Sequence, residues 1–101
     1  MPDTFDPDTF DADGFAELVA RQRAVDEAHD RVVQLRETYG PPAHAPWTGA
    51  QRETYETAWR AWRDLARETQ AAVEAYARRA GRPRTVVQAE VERAAQQSPE
   101  E

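Results

Sequence analysis

From Thr48 to Ala80 the sequence contains no proline, and its apolar residues return every seven positions. Tyr55, Trp62, Thr69 and Tyr76 set the interval, Ala58, Leu65 and Ala72 follow at +3, and Trp59, Ala66, Val73 and Ala80 follow at +4. Positions three and four apart share one face of an α-helix, so the stretch predicts a single amphipathic helix. At ~1.5 Å per residue it is roughly 50 Å long. Most of the intervening residues are charged, Arg60, Arg63, Asp64, Arg67 and Glu68 among them. Such a stripe cannot be hidden by its own helix, so either the rest of the chain or a second copy must cover it.

The preceding segment supplies a matching seam. Leu18, Val25, Val32 and Tyr39 repeat at seven, with Arg21, Ala28 and Leu35 at +3, as in a coiled coil. This predicts a first helix from about Asp13 or Gly14 to Tyr39. Val19 and Val33 fall off the seam and are expected to face a third element. Gly40-Pro41-Pro42-Ala43-His44-Ala45-Pro46 is a break, because Gly40 suits a left-handed cap and the prolines stop the helix. Thr48 and Gln51 are spaced as a capping box, with Trp47 placed to staple the turn. Gly81 and Pro83 end the second helix. Thr85 and Gln88 suggest another capping box, opening a short helix over 86–97 with Val87, Val91, Ala94 and Ala95 on its apolar face. The expected fold is all-α: a long antiparallel helical hairpin plus a short third helix against its open end, as a three-helix bundle or a hairpin dimer. Residues 98–101 read as a frayed end.

The first thirteen residues behave differently. Asp3-Thr4-Phe5-Asp6 recurs as Asp8-Thr9-Phe10-Asp11, a spacing of five that fits neither helix nor strand, and Pro2 and Pro7 interrupt it. The segment reads as a flexible acidic tail, or as a linear motif whose Phe5 and Phe10 dock in an apolar groove of a partner. Phe10 and Phe15 folding back onto the helices is a third possibility.

Composition narrows the function. There is no cysteine, which removes disulfides, thiolate metal sites and cysteine nucleophiles. Ser98 is the single serine, the two histidines (His29 and His44) are isolated, and no glycine loop of phosphate-binding type occurs. The carboxylates sit on predicted solvent faces beside arginines. These absences point away from catalysis, metals and cofactors. His29 reads as a packed bystander rather than a ligand, because no second ligand lies at metal-binding spacing. No apolar run approaches the ~20 residues of a membrane span, and the N-terminus lacks signal-peptide character, so a cytoplasmic protein with no membrane partner is expected. Leu, Val and Phe together number fourteen, with no Ile. That is a lean supply for a core, and it makes a homo-oligomer a natural expectation.

Charge is segregated. Residues 1–30 hold nine acids against Arg21 and Arg23, a net of −7, while the whole chain is −6. Arg78, Arg79, Arg82 and Arg84 then cluster around the second turn, where Gly81-Arg82-Pro83 is similar to the core of a minor-groove hook. A helix stop made of Gly and Pro accounts for the same residues, and net acidity disfavours nucleic acid.

Trp47-Thr48-Gly49 resembles the W-x-G turn of the WXG-motif helical hairpins exported by type VII secretion systems, with Tyr55 and Trp62 at spacings like those of that family's second helix. The resemblance, over roughly 15–80, implies a dimer exported without a cleaved signal. Three features depart from it: the proline-rich loop, the third helix, and Ala80 where the export signal wants an acid four residues after Tyr76. The leading expectation is a non-enzymatic protein–protein interaction module, adaptor or regulatory, that self-associates. Its expected contact residues are Phe5, Phe10, Tyr55, Trp59 and Trp62. A WXG-type secreted dimer is the first alternative, and a nucleic-acid-associated protein using Arg78, Arg79, Arg82 and Arg84 is the second.

Overall fold

The structure, a computed structural model, describes residues 7–97. They form three helices, α1 (Pro7–Tyr39), α2 (Gly49–Ala80) and α3 (Arg84–Ala95), with no strand among them. α1 and α2 run antiparallel. Gly14 lies against Tyr76 near the open end, His29 lies against Trp62 midway, and Tyr39 meets Trp47 at the loop.

The hairpin ends where its punctuation predicts. Gly40 takes φ 77° and donates its N–H to the Arg36 carbonyl at 3.0 Å. The Thr48 hydroxyl accepts from the Gln51 N–H at 3.0 Å, and the Gln51 side chain accepts from the Thr48 N–H at 2.9 Å. This reciprocal pair satisfies two of the donors that a helix start leaves open. Gly81, at φ 67°, closes α2 in the left-handed region.

Two expectations are corrected. α1 begins at Pro7 rather than near residue 13, so residues 7–13 belong to the helix and not to a flexible tail. Proline suits the first helical position, where its fixed φ is helical and its missing N–H would be unpaired anyway. Gly14 is therefore inside α1. A Cβ there would meet the Tyr76 ring at 3.0 Å, so the glycine permits a close approach rather than starting the helix. α3 packs against the open-end half of the hairpin, as expected, and lies along the side of both helices. Finally, the Thr85–Gln88 capping box does not form. α3 starts two residues earlier than expected, at Arg84, with Pro83 before it and the Val87 N–H bonded to the Pro83 carbonyl at 3.2 Å. The Gln88 amide is drawn instead to Gln22 and Glu92.

The core is densest where three helices meet. Val73, Val87 and Val91 are fully buried there, together with Leu18, Tyr76 and Ala77, and Phe15, Ala72 and Ala80 pack around them. Toward the loop only the two-helix seam continues, through Val25, Val32 and Leu35. The molecule is a rod of 66 × 28 × 19 Å. Its radius of gyration is 18.1 Å, against about 13 Å for a compact chain of this length.

Candidate functional site

The seven-residue repeat carries each stripe through two environments. On α1, Phe15 and Gln22 lie beside α3, and His29 and Arg36 continue the same stripe toward the loop. Val19 is buried, whereas Val33, two repeats further on, is 38% exposed. On α2, Val73 and Ala80 are packed near α3, and Ala66 and Trp59 extend their line. The reason is length. α3 has 12 residues, roughly 18 Å, and it stops beside Arg23 and Asp26.

Arg23 fixes that stopping point. Its guanidinium donates to the carbonyls of Ala94 (3.3 Å), Ala95 (3.3 Å) and Gln97 (3.0 Å), at and just past the C-terminus of α3. At the other end of α3, Arg82 holds Glu90 through two bonds of 3.0 and 2.7 Å. The Arg82 hydrogen bond and charge, with Arg93 adding to the charge, lower the Glu90 pKa below its usual value against a smaller opposing effect of desolvation.

Past the end of α3 the hairpin face is uncovered. A groove of about 650 Å³ runs to the loop, floored by Val32 and Trp62 and edged by Val33, Trp59, Tyr55 and Pro41. Trp62 is half-buried, its ring centroid 4.7 Å from that of His29. Trp59 is 39% exposed, with the Arg63 guanidinium 5.1 Å from its ring centroid. The cation covers one ring face and leaves the indole available on the groove side. The α1 rim carries both Arg36 and Glu37, and Arg63 stands beside Trp59 on the α2 side.

The loop end is rigidly closed. The Trp47 indole N–H donates to the Gly40 carbonyl at 2.8 Å, and its ring meets Tyr39 and Tyr55 edge-on at 5.5 and 5.0 Å. Trp47 thus fastens the turn, and Tyr55 is shared between that fastening and the groove.

Of the residues singled out from sequence, Tyr55, Trp59 and Trp62 are brought together along one groove. Phe5 lies outside the described residues, as does the side chain of Phe10. Val33 was expected to be covered by a third element and is not, because α3 ends too soon. Of the four clustered arginines, Arg78 and Arg79 stand in the last turn of α2. Arg82 is engaged with Glu90, Gly81 and Pro83 serve as helix stop and helix start, and Arg84 borders a shallow depression with Glu74. Arg23 was missed, because a lone arginine in a charged helix gives no sign that it will meet a distant C-terminus. Among the described residues no cluster of three or more metal-ligating side chains occurs, and no helix is long and apolar enough to cross a membrane. No family model, no characterised protein and no solved structure matches this chain.

Proposed function

We propose that this protein is a non-enzymatic interaction module, a small cytoplasmic adaptor or regulatory protein that receives a helical partner in the groove beyond α3. One observation carries the reading: the face that α3 covers continues past its end as an apolar channel with Trp59 and Val33 exposed. Helix-in-groove recognition uses such a face, with anchors spaced along one stripe. Large rigid indoles dominate the energetics of such contacts. The Phe5/Phe10 segment is a second contact element in this reading, and self-association is one use of the groove.

The test compares affinity capture by the full chain with capture by Val33→Ser/Trp59→Ala, both checked for helicity, and with Arg84→Glu as a surface control. Specific partners are expected to be lost by the groove variant and kept by the control. Retention of every specific partner by the groove variant would remove the groove from the function.

A further inference from the structure

The chain has three large hydrophobic residues exposed among those described: Val33 (38%), Trp59 (39%) and Val86 (41%). Two line the open groove. The third sits on α3, on the side turned away from the buried Val87 and Val91. We propose that the groove is filled by α3 of a second copy of this chain, and that each protomer fills the other's. The proposal rests on the groove being a docking surface and names its occupant.

Length supports it. From Asp26, where α3 ends, to Gly40 the open face runs about 21 Å at ~1.5 Å per residue, and α3 is 12 residues, about 18 Å. The groove therefore has room for one further helix of the size that already occupies the neighbouring half of the same face.

Symmetry supports it as well. A two-fold axis parallel to the hairpin axes would drive one α3 into the other, because both occupy the same half of the rod. A two-fold axis across the rod, at the level where α3 ends, avoids that collision. It lays the partner's α3 end to end with the first, inside the open groove, and makes a central layer of two short helices between two hairpins. The contact is isologous and closes on itself, so it yields a dimer and not a fibre. One operation then covers Val33, Trp59 and Val86 in both copies. Each contact measures roughly 18 by 10 Å, and the two, counted on both partners with side-chain relief, remove about 1,000 Å² from water, the lower end of specific interfaces. An interface of that class is weak and transient, so the dimer is expected to dissociate on dilution.

The absence of native cysteine makes a direct test simple. In Trp59→Cys/Val86→Cys the two thiols of one protomer sit in different halves of the rod, well beyond the ~7 Å Cα separation that a disulfide allows. Mild oxidation at about 100 µM is expected to give a covalent dimer at least tenfold faster than Glu53→Cys/Val86→Cys, whose first thiol lies on the opposite face of α2. Equal rates for the two pairs would overturn the proposal. So would a wild-type chain that stays monomeric in light scattering at about 1 mM. Val86→Glu, a change on an already exposed position, is expected to weaken the wild-type dimer at least tenfold, and an unchanged dimer would equally count against it. If the chain is monomeric yet Val33→Ser/Trp59→Ala still loses a specific partner, the groove stands and only its occupant is wrong. If neither occurs, both fail.

Discussion

Single residues in this chain gain their meaning from what crosses them. Gly14 looks like helix punctuation, but its Cα faces the Tyr76 ring, and a methyl group would meet two ring carbons at 3.0 and 3.2 Å. Tyr76 is 2% exposed, so it has little room to yield. Gly14→Ala gains about 1 kcal/mol of helix propensity and meets overpacking of about 1–3 kcal/mol. We expect a net loss of about 1 kcal/mol, read from urea unfolding, and a stabilised variant would show that the ring can move aside. Gln88 gives the opposite sign. Its amide nitrogen reaches Gln22 and Glu92, while its carbonyl oxygen is buried without a hydrogen-bond partner. An unmet buried acceptor costs about 1–3 kcal/mol, and the bond to Glu92 returns about 1. Gln88→Met, similar in volume, is therefore expected to raise the stability by up to about 1 kcal/mol, and a fall in Tm would mean that the amide is better satisfied in solution.

At the level of elements, the hairpin and the end of it that α3 covers were legible, and the contacts that fix α3 were not. Seven-residue spacing in α1 and α2, with Gly40, Thr48 and Gly81 as stops, depends on local geometry that each segment carries alone. The start of α1 escaped because the Phe spacing of five and Pro7 look non-helical, although Pro7 is acceptable at a first turn. The side-on docking of α3 depends on Arg23 and on the Arg82–Glu90 pair, contacts between residues far apart or on different elements that no periodicity encodes. Tyr55 and Trp62 were legible as stripe residues, but which part of the stripe stays open depends on where α3 stops. The ion pair gives a pH signature. Because the folded Glu90 pKa lies below its unfolded value of 4.5, its contribution is complete above about pH 4.5 and is lost as pH falls through the folded value. Glu90→Gln is thus expected to lower Tm at pH 7 by an amount that shrinks toward pH 3, whereas a constant difference would deny the pair a role. At the other end, Trp47→Phe keeps an aromatic ring between Tyr39 and Tyr55 and deletes the bond to Gly40. A loss of about 1 kcal/mol is expected, typical of one hydrogen bond, and no loss would reduce Trp47 to a packing residue.

For the whole molecule, the division into a three-helix half and a two-helix half sets where the rod yields first. Val73, Val87 and Val91 are at 0% exposure in the α3 half. The loop half is held by Val32, Leu35, partly covered aromatics and the Trp47 fastening. Amides open locally according to the apolar contacts that must be broken, so stability follows local packing. Native-state hydrogen exchange in the dilute chain is therefore expected to show slow amides around Leu18 and Val73–Ala77 and faster ones around Val33 and Tyr55–Trp59. The gradient is the physical counterpart of the open groove. A helix lying in that groove would supply the missing third layer, so protection at Val33 and Trp59 should rise once the partner binds, with little change at Val73. Uniform protection along the free rod would mean that the loop half already has what it needs, and that its exposed indole awaits nothing.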